Sequence, residues 1–166
     1  RGNAYPTFAE SRFMAYDVIA HGAKGILYWG STELKSNECR QSIYALISEL
    51  AALNPFLIAP NEPGVKLQVI GLTEELPGYG VRMFARRAGD DLLLALINED
   101  DVPRMDVEIS GLNAIEGRDL HALYTGEIQR VSGGEAIVRL QSKEVKVYCT
   151  SRTYESPRRD HRDYAG

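Results

Sequence analysis

The residues that could take part in chemistry are few and widely spaced. Trp29 is the only tryptophan of the 166 residues, and it ends a short apolar run that is followed by a polar stretch containing Glu33. An indole offers a flat apolar face and one N–H donor, while a carboxylate accepts hydrogen bonds. We take Trp29 and Glu33 as the candidate binding residues. The alternatives are that Trp29 fills a core and that Glu33 is a solvated loop acid.

Three further polar residues have structural explanations. Thr7 and Glu10 have the spacing of a capping box, in which each side chain satisfies a backbone N–H of the other at the start of a helix. Glu10 is therefore not expected to form a catalytic pair with Arg12. His21 precedes a glycine at the end of the same segment, where a cation is favoured by the helix C-terminus.

The remaining sequence contains no recognisable catalytic or metal-binding pattern. There is no glycine-rich phosphate loop and no serine–histidine–aspartate arrangement, and His121 and His161 have no partner pattern. Cys39 and Cys149 are too far apart in sequence to suggest a metal site or a disulfide framework. The sequence therefore predicts no catalytic residue, no metal and no cofactor for this chain.

Charge and hydropathy limit the partners. The net charge of -4 and the absence of a basic cluster in the folded segments argue against nucleic acid. No apolar run approaches the roughly 20 residues that cross a bilayer, so we expect no membrane partner. Residues 152–166 carry both signs of charge and are interpreted as a solvated tail or surface strap, although a nucleic-acid arm is conceivable.

The first third of the chain predicts a helix, a strand and a second helix. A helix is expected over residues 7–21 and another over 37–53, where apolar residues recur at steps of three and four. Between them, residues 25–29 are apolar without polar alternation, which is typical of a parallel strand covered on both faces. The second helix should stop at Asn54, because Pro55 disfavours the α conformation of the residue before it.

The rest of the chain changes to short extended segments after a proline-rich link over residues 56–64. Glycine-containing turns separate most of these segments, a pattern that indicates an antiparallel β-sandwich over residues 65–151. The predicted strands are Val65–Ile70, Tyr79–Arg87, Asp91–Asn98, Met105–Ile109, Asp119–Tyr124, Ile128–Val131, Glu135–Leu140 and Val145–Thr150.

The order of these elements, together with several short phrases, resembles the C-terminal portion of glycoside hydrolases with a (β/α)8 barrel. Retaining enzymes of the β-galactosidase type are the most similar in character. The phrases that carry the resemblance are Thr7–Arg12, Tyr16–Trp29, Leu46–Pro55, Leu94–Asn98, Leu123–Glu127 and Glu144–Tyr148.

The resemblance implies an α+β fold in which residues 1–55 are the last helix–strand–helix of the barrel, followed by the sandwich. The catalytic glutamates of such enzymes usually end the fourth and seventh barrel strands, so this chain alone is expected to lack them. Trp29 would end the eighth strand, at the face where barrel active sites lie, and stack against a sugar ring. The partners of this chain would be carbohydrate, bound through the parent barrel, and either the missing upstream barrel chain or a second copy of this chain. The alternative is a stand-alone carbohydrate- or protein-binding β-sandwich module.

Overall fold

The computed structural model of this chain describes residues 5–28, 34–71, 80–101 and 105–156. Three helices come first: α1 (Phe8–Ala20), α2 (Asn37–Ala52) and α3 (Asn54–Leu57). The strands that follow are β1 (Lys66–Val69), β2 (Val81–Ala88), β3 (Asp91–Asn98), β4 (Met105–Ser110), β5 (Asp119–Ala122), β6 (Ile128–Arg130), β7 (Ala136–Leu140) and β8 (Val145–Cys149). Short 3-10 helices lie at Asn113–Ile115 and Arg152–Tyr154.

Side-chain caps begin the two long helices. The predicted capping box starts α1: the Glu10 backbone N–H donates to Thr7 Oγ1 at 3.2 Å, and the Thr7 backbone N–H donates to Glu10 Oε2 at 2.8 Å. Ser36 caps α2 by accepting from the Cys39 backbone N–H at 3.1 Å. Both predicted helices are therefore confirmed. Within the described ranges, no helix combines the length and apolar character needed to cross a bilayer.

The proline after α2 behaves differently from the expectation. Asn54 was expected to leave the α conformation because it precedes Pro55, and this expectation is wrong: Asn54 begins α3, with the proline in the first turn of that helix. A proline is tolerated there because the first N–H groups of a helix have no intrahelical acceptor. The turn brings Phe56 into the core, where it is fully buried.

The strands form the predicted antiparallel sandwich. One sheet has the order β1-β4-β7 and the other the order β2-β3-β8-β5-β6, with antiparallel pairing throughout the described ladders. Observed strand ends differ from the predicted ends by at most two residues, because glycine-containing turns mark most of them. A core of aliphatic side chains fills the space between the two sheets. The fold class is therefore α+β, with helices at one side of a β-sandwich.

Strand β3 is buried on both faces and joins the helices to the sandwich. Its even-numbered residues Leu92, Leu94 and Leu96 point into the core between the sheets. Its odd-numbered residues Leu93, Ala95 and Ile97 belong to a second core that also contains residues of all three helices. Alternate side chains of a strand point to opposite faces, so the helical layer covers the outer face of the five-stranded sheet.

Candidate functional site

The segment that carries the sequence prediction lies between α1 and α2. Residues 25–28 belong to none of the strands of the described part of the chain, so the predicted strand over 25–29 is not formed there. A strand is defined by hydrogen bonds to a neighbour, and the sandwich strands pair among themselves. Leu27 consequently leaves 86% of its surface exposed, whereas Ile26 packs partly against the helix–sheet core.

Tyr28 lies beside residues of α1 and α2. It is 36% exposed. Its partial burial raises the pKa of the phenol. Trp29 and Glu33 themselves lie outside the described residues, as do residues 30–32 between them. The binding role of this pair therefore stays a prediction.

Two apolar hollows flank residues 26–28. One, of about 540 Å³, lies between the end of α1, the second half of α2 and α3, and is lined by Ile19, Ile47 and Leu57 among others. The other, of about 400 Å³, lies between the first halves of α1 and α2. Ile26 and Tyr28 border both hollows, so the segment lies between them, and the two hollows together are called the apolar groove below.

The groove is bordered by apolar side chains that the described chain leaves about half exposed. On α1 these are Met14, 51% exposed, and Val18, 41% exposed; on α2 they are Tyr44, 49% exposed, and Ile47, 46% exposed. The residues of α2 that are buried against the rest of the protein are Cys39, Gln41, Ser42, Leu46 and Glu49, and Ile47 is not among them. Helix α2 therefore has one face on the protein core and a second, apolar face that is open.

A buried polar network holds the helices together. The Arg12 guanidinium donates to Glu49 Oε1 at 2.8 Å, and the Tyr16 hydroxyl donates to the same oxygen at 2.7 Å. Arg12 also donates to the backbone carbonyl of Val145 on β8 at 2.8 Å, so the network reaches the sandwich. Burial, followed by the Glu49 charge, raises the pKa of Tyr16 well above its usual value. Sequence periodicity missed Glu49, because helical pattern searches count apolar residues only.

A second polar cluster lies where α1 ends against the sandwich. His21 caps the C-terminus of α1 as predicted, and its Nε2 lies 2.6 Å from Glu99 Oε1 and 3.6 Å from Asp17 Oδ1. Arg82 Nε donates to both Glu99 oxygens at 3.2 Å. Burial, together with the neighbouring Glu99, raises the pKa of Asp17. Burial acts to raise the pKa of Glu99 as well, but hydrogen bonds from His21, Asp17 and Arg82 outweigh it and the pKa falls below its usual value.

An exposed row of aromatic side chains on the sandwich would favour a stand-alone binding module, and the described residues of the sandwich form no such row. Phe84 and Tyr148 are buried. The Tyr148 hydroxyl donates to Glu127 at 2.7 Å, and Tyr124 is half-buried with its hydroxyl bonded to Ser156. Tyr79 lies outside the described residues. Cys39 and Cys149 are buried free thiols.

Comparison with known proteins finds similarity in structure only. No family model matches this chain, and neither does any curated protein sequence. Among solved structures, an α-amylase from Geobacillus thermoleovorans complexed with acarbose matches 86% of this chain with a TM-score of 0.53 at 15% identity. Weaker matches include AmyP in complex with maltose, over 68% of this chain with a TM-score of 0.49 at 19% identity. Another is Gan42B, a GH42 β-galactosidase, which matches 67% of this chain with a TM-score of 0.33 at 17% identity.

The match to the Geobacillus α-amylase shows that the two chains share a fold in which helices are followed by an antiparallel sandwich. The chain spans only a fraction of the proteins it matches, 33% of the Geobacillus α-amylase and 20% of AmyP.

Proposed function

We propose that this chain is the non-catalytic C-terminal part of a glycoside-hydrolase-like protein. Residues 25–29 would complete a (β/α)8 barrel as its eighth strand, with α1 and α2 as the helices on either side of that strand in the chain. The sandwich would support this unit, and Trp29 would stack against a sugar ring while Glu33 lies beside it. The observation that carries the proposal is the open apolar groove around the unpaired residues 26–28.

The distribution of exposed apolar residues supports a barrel neighbour. Met14, Val18 and Ile47 lie on the side of the helices that faces away from the sandwich core, and Leu27 extends from the segment between them. Monomeric proteins rarely leave a large contiguous apolar patch uncovered. In a closed parallel sheet every strand pairs with a neighbouring strand on each side. An apolar segment with no strand paired to it is what such a sheet would leave when its neighbouring strands are missing.

The position of Trp29 supports the sugar-stacking role. It directly follows the apolar segment, so in a barrel it would stand at the carboxyl end of the strand, where barrel enzymes place their ligand-binding residues. An indole face packs against the C–H groups of a pyranose, and its N–H can donate to a hydroxyl. The substrate of the whole protein is proposed only as a carbohydrate.

Sedimentation of this chain tests the open groove. We expect self-association that weakens when Val18 or Ile47 is changed to Ser, because either substitution places a hydroxyl in the groove. The matched control is Ile137→Ser, since Ile137 is 54% exposed on the sandwich rather than on the helices. A wild-type chain that sediments as a monomer at every accessible concentration and binds no hydrophobic dye would contradict the proposal.

Fluorescence tests Trp29 separately, because the only tryptophan supplies the whole indole signal. Iodide should quench the emission of Trp29 almost as efficiently as it quenches free indole in solution. A saturating oligosaccharide such as maltotriose should reduce that quenching. The variant Glu33→Gln should retain the quenching by iodide and bind sugar more weakly. An indole that iodide cannot reach would be sealed in a core, and the stacking role would then fail.

A further inference from the structure

Asp17, His21 and Glu99 bring three potential metal ligands together at the junction between α1 and the sandwich. One ligand atom of each residue lies within 4.8 Å of those of the other two. Asp17 and His21 are one helical turn apart on α1 and so share a face of the helix. Glu99 follows β3 directly and reaches the pair across the junction.

The local charge favours an additional cation. Two carboxylates converge on this point, and among the described residues the hydrogen bonds of Arg82 go to Glu99. Asp17 Oδ1 is shielded from solvent and lies 3.6 Å from His21 Nε2, too far for a hydrogen bond, and no other described residue donates one to it. A dication between the three side chains would compensate both carboxylates and provide that oxygen with a partner.

The donor set identifies the class of ion. One imidazole and two carboxylates suit Zn²⁺ and similar transition-metal ions, whereas Ca²⁺ and Mg²⁺ prefer oxygen donors only. Tetrahedral bonds of about 2.0 Å separate the ligand atoms by about 3.3 Å. The 2.6 Å contact between His21 and Glu99 would therefore open slightly, while the 3.6 Å separation between His21 and Asp17 would close. The His21 side chain is 50% exposed, which leaves it room to move.

We propose that Asp17, His21 and Glu99 bind one divalent transition-metal ion of the zinc class, with solvent completing the coordination. The ion would tie the C-terminal end of α1 to the end of β3 and so fasten the helical layer to the sandwich. Arg82 competes with the ion for Glu99 and would turn outward when the metal binds. The site lies on the sandwich side of α1 and does not depend on the carbohydrate role proposed above.

Calorimetric titration of the metal-free chain with ZnCl₂ at neutral pH tests the site. We expect one ion per chain, and substitution of a ligand in Asp17→Asn, His21→Gln or Glu99→Gln should weaken binding by at least about tenfold. The matched control is Asp106→Asn, because Asp106 is an exposed carboxylate paired with Arg139 at 2.6 Å and lies away from the cluster. This control should bind as the wild type does, and CaCl₂ and MgCl₂ should give no comparable signal.

Arg82→Gln separates a metal site from a simple ion-pair cluster. Removal of the competing guanidinium should tighten Zn²⁺ binding several-fold, and Co²⁺ bound in place of Zn²⁺ should show the visible absorption of a four-coordinate imidazole–carboxylate site. The proposal is overturned if the wild type binds no stoichiometric ion. It is equally overturned if the ligand variants bind as the wild type does, or if Arg82→Gln weakens binding. Circular dichroism of each variant identifies a chain that has lost its fold, and the remaining ligand variants then decide the question.

Discussion

The guanidinium of Arg12 and the carboxylate of Glu49 form a buried ion pair 2.8 Å long between α1 and α2, with side-chain exposures of 13% and 2%. Arg12 lies over the ring of Tyr16 at 5.0 Å from its centroid and reaches β8 through Val145. This pair therefore links the two helices to each other and to the sandwich.

Glu49→Gln should destabilise the chain by about 3 kcal/mol, because it leaves the buried Arg12 charge without its counter-charge. Urea denaturation followed by circular dichroism measures this change. The double variant Arg12→Met/Glu49→Met should lose less than the sum of the single substitutions, since each single change strands the other partner. Additive losses would show that the two side chains act independently. Asp106→Asn, which breaks an exposed pair, should leave the transition nearly unchanged.

The Cys149 thiol makes stability depend on pH in the alkaline range. Burial, as the largest effect, raises its pKa from 9.0 to about 11. Because the pKa of this thiol is higher in the folded chain than in the unfolded chain, the thiol contributes to the free energy of unfolding. That contribution is fully present below pH 9, decreases as the pH rises from there, and is lost above about pH 11. Two pKa units correspond to about 2–3 kcal/mol. Denaturation of the wild type and of Cys149→Ala at a series of alkaline pH values should show that the free energy of unfolding decreases less steeply with pH for the variant. An equally steep decrease for the two proteins would contradict this.

Gly111 should not tolerate a side chain. Its φ of +82° favours glycine, and an added Cβ would lie 1.9 Å from the backbone oxygen of Gly64. Gly111→Ala should therefore cost roughly 2–5 kcal/mol, from backbone strain and from the displaced chain. Gly117→Ala is the matched control, because Gly117 has a φ of +71° with open space around it. Thermal unfolding measures the stability lost in each variant. Equal losses in the two variants would show that backbone strain alone, and not the contact with Gly64, disfavours a side chain at Gly111.

The sequence predicted the sandwich well because its signals are local. Alternating side chains and glycine-containing turns mark strands such as β3 and β7 directly, and the Thr7–Glu10 capping box marks the start of α1. These features depend on neighbours within a few residues. They reproduced the antiparallel architecture and most element ends.

The parts that sequence reasoning missed depend on distant residues. Glu49 is buried only because Arg12 reaches it from another helix, and Glu99 meets His21 from 78 positions further along the chain. Residues 25–29 have the composition of a strand, but composition cannot supply the neighbour that a strand needs. Trp29 and Glu33 lie outside the described residues, so their binding role remains a prediction.

Hydrogen–deuterium exchange at the amides of Ile26, Leu27 and Tyr28 tests the central claim most directly. If this segment is a barrel strand without its neighbours, these amides should exchange in the dilute monomer nearly as fast as in an unstructured peptide, while β3 amides exchange far more slowly. Self-association or addition of the preceding barrel residues should then protect them. Strong protection in the isolated monomer would mean that the segment is already satisfied within its own fold, and the proposed barrel origin would be contradicted.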